Sequence, residues 1–186
     1  KRHPLLKGCK PVRHKLLSLY FDTADFVLSR RAVALRLRRN GYHWEQTLKA
    51  DAETIGALTR RPEWNVQVTG NRPDLDILPA EARALLGDID AGDLQVCFST
   101  EFTRIAWHLE GEGGALELAL DQGEVRAGEA SEAISEVEFE LKAGAGGQLF
   151  TVATAFLDAL PFTLEPRSKA ERGYLLAGAA RAEPIR

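Results

Sequence analysis

The sequence predicts an antiparallel α+β or barrel-like fold, and three observations carry that expectation. Apolar and polar residues alternate with period two through most of the 186 residues, as half-buried strands require. The helical segments punctuate the strands instead of alternating with them regularly, which disfavours a βαβ arrangement. The chain is also long enough for one sizeable domain and short for two.

The segment Arg13 to Asp22 reads as the first strand, ending in the turn-prone run Asp22-Thr23-Ala24-Asp25. Val33, Leu35 and Leu37 alternate with Ala34, Arg36 and Arg38, so one face is apolar and the other carries two guanidiniums. Asn40-Gly41 marks a hairpin, with Tyr42 to Lys49 as its returning strand. Glu63 to Val68 is a short strand after Pro62, and Pro79 to Leu86 a helix rich in Ala, Glu, Arg and Leu. A long strand, Gln95 to Glu110, precedes a glycine-rich turn at 111–114. Leu116 to Asp121 and Ile134 to Lys142 follow as strands, with a polar, mobile-looking connection between them. After a break at Ala143 to Gly147, the run Gln148 to Leu160 has helical spacing, with Leu149, Val152, Phe156 and Leu160 on one stripe. A last helix is expected around Ser168 to Ala180. The total is about seven strands and three helices, with no internal repeat.

Composition excludes several classes. Hydrophobic residues make up 45% and charged residues 27%, an ordinary globular balance. No apolar run approaches the roughly 18 residues of a membrane span, and no signal peptide is seen, so no membrane partner is expected. A net charge of −3 argues against a broad nucleic-acid footprint. Cys9 and Cys97 stand far apart with no metal-site spacing; one disulfide is open to them, but isolated pairs in chains of this size are more often reduced thiols, which points to the cytoplasm. The chain opens on a basic stretch, Lys1 to Arg13, that reads as the middle of a domain. The expectation is a protein that begins further upstream.

The strand faces are sorted by charge. Arg36 and Arg38 share one face, and Glu45, Thr47 and Lys49 another. Leu116, Leu118 and Leu120 alternate with Glu117, Ala119 and Asp121, and Val137, Phe139 and Leu141 with Glu136, Glu138, Glu140 and Lys142. Glutamates at i, i+2 and i+4 of a strand stand about 6.8 Å apart on one side and repel unless water, cations or basic partners compensate. A solvated outer face is one reading. The other is an interior with walls of opposite sign, where carboxylates hold Mg²⁺ or Mn²⁺ and basic residues hold phosphate oxygens.

Several stretches in order resemble the CYTH family, the triphosphate tunnel metalloenzymes named for bacterial class IV adenylate cyclases and thiamine triphosphatases. They begin with Tyr20-Phe21-Asp22-Thr23, Ala34-Leu35-Arg36-Leu37-Arg38 and Trp44-Glu45-Gln46-Thr47-Leu48-Lys49. Arg61-Pro62-Glu63-Trp64, Phe102-Thr103-Arg104 and Leu120-Asp121 continue the series. Glu136-Val137-Glu138-Phe139-Glu140-Leu141-Lys142 and Ser168-Lys169-Ala170-Glu171-Arg172-Gly173 complete it, so the resemblance runs from about residue 14 to 178. Each motif alone is weak, and together in this order they are specific.

The resemblance implies an α+β fold built on an antiparallel eight-stranded β-barrel, or tunnel, with flanking helices. Residues 1–180 would be the tunnel domain, lacking its first strand. Arg36, Arg38, Lys49 and Arg104 would clamp phosphates with Lys169 and Arg172. Asp121, Glu138 and Glu140 would bind Mg²⁺ or Mn²⁺, joined by Glu136 and Glu117, and Glu138 or Glu140 would position the attacking water. Bland readings stand beside these: Arg172 pairing with an acid on its own helix, Lys142 solvated at a strand end, Glu63 orienting a neighbouring arginine. The family's Glu-x-Glu-x-Lys strand does not occur before Tyr20, and the expectation is that it lies upstream. The alternative is a non-catalytic member.

Within the family, the Arg-Pro-Glu-Trp and Phe-Thr-Arg stretches resemble bacterial inorganic triphosphatases that carry a C-terminal helical CHAD domain; the polar tail 181–186 would suit a linker to one. The implied reaction is metal-dependent hydrolysis of inorganic triphosphate (tripolyphosphate) to diphosphate and phosphate. Nucleotide triphosphate or thiamine triphosphate as substrate, adenylate cyclase activity, and polyphosphate binding without turnover are the competing readings, with a protein-interaction barrel as a third class.

Overall fold

The computed structural model describes residues 3–50, 53–55, 58–60, 62–111, 113–160 and 163–179, with backbone alone at 53–55 and 58–60. The tail 181–186 and Arg61 of the Arg-Pro-Glu-Trp motif lie outside the described residues. Seven strands form one sheet: β1 (Val12–Asp22), β2 (Ala34–Asn40), β3 (His43–Lys49), β6 (Glu63–Val68), β7 (Gln95–Gly111), β8 (Gly114–Ala127) and β9 (Ala130–Gly144). A separate hairpin pairs β4 (Glu53–Ile55) with β5 (Leu58–Arg60). The helices are α1 (Val27–Arg30), α2 (Ala80–Leu86), α3 (Gly147–Leu157) and α4 (Lys169–Leu176).

The strand order is β6-β3-β2-β1-β7-β8-β9, and these seven are the seven that the alternation predicts. The pairs β1–β2, β2–β3 and β3–β6 are antiparallel. The β2–β3 hairpin closes with Asn40 opposite His43, so its loop is Gly41-Tyr42. Gly41 has φ +64°, at the position where a type II′ hairpin turn takes a glycine.

Three expectations change. The polar connection after Asp121 is strand: β8 continues to Ala127 and meets β9 through a turn at Gly128, φ +57°. Val125 and Ala127 are buried and carry the period through a stretch whose other residues are polar. The turn-prone Asp22-Thr23 run organises α1, a helix the sequence reading lacks. Asp22 is fully buried, and its carboxylate accepts from the backbone N–H groups of Thr23, Leu28 and Ser29, each at 2.8 Å. α3 ends at Leu157, so Leu160 leaves the expected apolar stripe and is 48% exposed, while Phe156 stays buried.

The chain forms two compact units, one of residues 1–15, 102–123 and 134–164, the other of residues 16–101, 124–133 and 165–186. In the first, Leu6, Leu118 and Phe156 form a core against which Trp107, Leu109, Val137, Phe139 and Val152 pack. In the second, Phe21, Leu35, Leu37 and Leu48 from one sheet face pack with Leu28 of α1 and Ala82 and Leu86 of α2. Gln46 shares that apolar face. Its amide is satisfied there by giving to the Asp74 carbonyl at 2.7 Å and accepting from the Asp74 N–H at 2.8 Å.

A further packing centre fixes α4 within the second unit. Phe98 stacks on Tyr20 at 4.4 Å and meets the Tyr174 ring edge-on at 5.0 Å. Gly173 lets the helix approach this closely, since a Cβ there would meet the Phe98 ring at 2.1 Å. Ser168 caps the helix, accepting from the Glu171 N–H while the Glu171 carboxylate accepts from the Ser168 N–H. Nearby, Cys97 gives its S–H to the Tyr20 carbonyl at 3.2 Å, and burial pushes its thiol up to about 12. Both cysteines are unbridged.

Replacing Gly173 by Ala forces either the ring or the helix to move. The expected cost is about 1–3 kcal/mol, seen as a thermal midpoint lowered by about 2–4 °C per kcal/mol. An unchanged midpoint would show that the ring yields without strain.

Candidate functional site

The charged groups assemble on the sheet faces opposite the apolar cores. In the second unit, pairing sets Tyr20 opposite Arg36, Arg36 opposite Thr47 and Thr47 opposite Asn65. One step along, Ser18 faces Arg38, Arg38 faces Glu45, and Lys49 faces Glu63. Arg36, Arg38 and Lys49 therefore share one face of the β2–β3 pair, where the register joins two strand faces that the sequence reading kept separate. Arg36 is only 6% exposed although it lies on the polar side. Its Nη2 donates to Thr47 Oγ1 at 2.8 Å, and its Nε is buried with no hydrogen-bond partner among the described residues. Arg38 Nε donates to Ser18 Oγ at 3.0 Å.

Lys49 donates to Glu63 at 2.6 Å, and the charge of Arg36 also acts on this carboxylate. Burial, together with the charge of Arg36, holds the Lys49 ammonium below the ordinary lysine range despite the opposing influence of Glu63. Burial pushes the Glu63 carboxyl up, but the charge and hydrogen bond of Lys49 outweigh it and leave its pKa lowered.

The first unit holds an ionic cluster. Asp121 of β8 is fully buried. It accepts two bonds from Arg104 of β7, Nε at 2.8 Å and Nη2 at 2.7 Å, a two-pronged pairing that a lysine could not make. The same Nη2 reaches Glu138 of β9 at 2.5 Å. Burial opposes the guanidinium's charge, but its bonds to Asp121 and the charge of Glu138 prevail and raise its pKa. Asp121, Glu136 and Glu138 each bring an oxygen within 4.8 Å of the others. Three hard oxygen donors converging in this way are chemically suited to a divalent cation such as Mg²⁺ or Mn²⁺.

The remaining candidates sit differently. Glu140 pairs with Lys142 at 2.7 Å and stands outside the three-carboxylate group; Lys142 is thus in an ion pair. Glu117 is ringed by Arg104 and Lys142 at 4.0 Å and His108 at 3.7 Å. On α4, Lys169 and Arg172 are buried. Arg172 reaches beyond its own helix: its Nε donates to Glu132 of β9 at 2.7 Å and its Nη2 to the Ala133 carbonyl at 2.5 Å. Asn65 and Glu132 are the side chains that sequence reasoning missed. Asn65 stood in view, on the face opposite Trp64 and Val66, whereas nothing local to Glu132 points to a residue forty positions away.

The CYTH domain family profile matches residues 6–174, and the chain belongs to that family. It is 36% identical over 163 residues to an inorganic triphosphatase of Haemophilus influenzae, a match covering 84% of this chain and 44% of that protein. The chain thus spans less than half the length of this curated relative. The fold is similar to that of a Hippeastrum protein described as an adenylyl cyclase candidate with a dominant triphosphatase activity, at TM-score 0.60 and 20% identity over 91% of this chain and 89% of that one. A protein of Pyrococcus horikoshii is similar at TM-score 0.58 and 19% identity, over 90% and 88% of the two chains.

Because Asp121 is fully buried against Arg104, truncating one partner strands the other charge. Asp121→Ala should cost about 3–5 kcal/mol in urea unfolding, and the Asp121→Ala/Arg104→Ala double variant should recover part of that loss. Additive losses would show that the pair is not coupled.

Proposed function

We propose that this chain is the catalytic unit of a divalent-metal-dependent triphosphatase that hydrolyses inorganic triphosphate to diphosphate and phosphate. The observation that carries the reading is the convergence of Asp121, Glu136 and Glu138, two of them bonded to Arg104, in a chain of the CYTH family. The Haemophilus relative's activity supports the choice of inorganic triphosphate.

Asp121, Glu136 and Glu138 would hold the metal ion, with Glu117 and Glu140 on the same strands as outer participants. The ion, when bound, would neutralise phosphate charge and lower the pKa of coordinated water. Arg36, Arg38, Lys49 and Arg104, with Lys169 and Arg172, would bind the phosphate oxygens. Arg36 supports this role best: its guanidinium is fixed at one end by Thr47, and its buried Nε has no hydrogen-bond partner among the described residues. An anion that completes these bonds removes the penalty of an unsatisfied buried donor. In the reaction, water attacks the terminal phosphorus and the bond to the bridging oxygen breaks. Diphosphate leaves with the bonding pair, and the water proton passes to Glu138 or Glu140. Positioning and charge neutralisation supply most of the rate in such a transfer.

Phosphate release from tripolyphosphate, ATP and thiamine triphosphate, measured on the full-length protein with Mg²⁺, Mn²⁺ or excess chelator, tests the assignment. Tripolyphosphate should be turned over fastest, chelator should abolish release, and Arg36→Ala should lower kcat/KM by about a hundredfold or more. Tight tripolyphosphate binding without release under either metal would favour a binding module instead.

The lowered pKa of Lys49 gives a pH signature. A lysine binds anions only while protonated, so tripolyphosphate affinity should begin to fall, as pH rises, below the ordinary lysine value of 10.5. Lys49→Arg should carry the affinity to higher pH, because arginine stays charged. Coincident pH profiles for the two proteins would remove Lys49 from the anion site.

A further inference from the structure

Arg36, Thr47 and Asn65 stand directly opposite one another on three adjacent strands, and a continuous hydrogen-bond chain joins them. Arg36 Nη2 donates to Thr47 Oγ1 at 2.8 Å, and Thr47 Oγ1 lies 2.7 Å from Asn65 Oδ1. A hydroxyl has one proton and two lone pairs. With the Asn65 carbonyl oxygen taking that proton, the Thr47 lone pairs are turned toward the guanidinium. Thr47 is fully buried, so its hydroxyl is shielded from water, while Asn65 stands exposed beside it.

The other end of the Asn65 amide is also engaged. Asn65 lies two residues from Glu63 on the same face of β6, and its amide helps to lower the Glu63 pKa, as a donor to the carboxylate does. A carboxylate only accepts, so the Asn65 NH₂ must donate there. Glu63 in turn holds Lys49 at 2.6 Å. One neutral side chain thus fixes two cationic arms, through Thr47 on its oxygen side and through Glu63 on its nitrogen side. Neither link works with the amide turned over, because the donor and acceptor ends would then face the wrong partners.

We propose that Asn65 is a positioning residue for condensed-phosphate binding: without touching the anion, it aims Arg36 through Thr47 and Lys49 through Glu63. This rests on the reading that Arg36 and Lys49 contact the phosphates. Thr47→Val keeps the shape and removes the hydroxyl, Thr47→Ser keeps the hydroxyl, and Asn65→Leu removes both arms at once.

Calorimetric titration of the full-length protein with tripolyphosphate, at neutral pH and fixed salt, is the test. Thr47→Val should weaken binding by about tenfold, the equivalent of one hydrogen bond to a charged group. Thr47→Ser should stay within about twofold of the natural protein. Asn65→Leu should weaken binding more than Thr47→Val does. In an Arg36→Ala background Thr47→Val should cause no further loss, since its route to the anion is gone. A merely structural role predicts instead that the Thr47→Val loss is as large in that background as alone, tracking a fall in thermal stability, and that result overturns the proposal. So does unchanged affinity in Thr47→Val. Should Asn65→Leu not fold, the Thr47→Val and Thr47→Ser pair still decides. Failure of the underlying reading looks different: Arg36→Ala itself would then bind tripolyphosphate as tightly as the natural protein.

Discussion

Antiparallel register is the constraint on which the rest depends. With Leu37 opposite Gln46 and Arg36 opposite Thr47, every side chain of β2 and β3 is committed to one face. The hairpin at Gly41-Tyr42 sets that register, and a slip of one residue would exchange the two faces. Leu35, Leu37 and Leu48 would then lose their contacts with α1 and α2, and Arg36 and Lys49 would meet an oily core. Burial of one face therefore holds the charged face in place. The apolar residues that never touch a phosphate are what make the arrangement of the cations unique.

The same logic governs the first unit, with the opposite balance of charge. Val137 and Phe139 pack toward Leu118 and Phe156, which turns Glu136, Glu138 and Glu140 to the other side of β9. Three carboxylates drawn together are costly, and Arg104 offsets much of that cost by binding Asp121 in two places and Glu138 in a third. A guanidinium is suited to this because its donors form a rigid fork and it does not lose its proton. Any cation that enters the group must share these oxygens with Arg104.

Much of the site was readable before the structure because period two is a local property. Arg36 with Arg38, Thr47 with Lys49, and Glu136 with Glu138 and Glu140 could each be placed on one face of their own strand from alternation alone. The seven strands of the sheet were readable for the same reason. What failed was local pattern masked by composition. Gln122, Gly123 and Glu124 look like a loop, yet Val125 and Ala127 bury themselves and keep β8 going. Asp22-Thr23 looks like a turn, yet three backbone N–H groups gather on the Asp22 carboxylate to begin α1.

The sequence by itself determined which residues share a face, because successive side chains of a strand must point in opposite directions. Its ordered motifs likewise indicated the CYTH family to which the chain belongs. Only the tertiary structure decided which acids converge: Asp121 with Glu136 and Glu138, while Glu140 turns to Lys142. It also decided that Arg172 answers to Glu132 and that Asn65 backs Arg36 through Thr47. Those choices depend on strand neighbours and on distances of a few ångströms between segments far apart in the chain, and no spacing along a single strand encodes them.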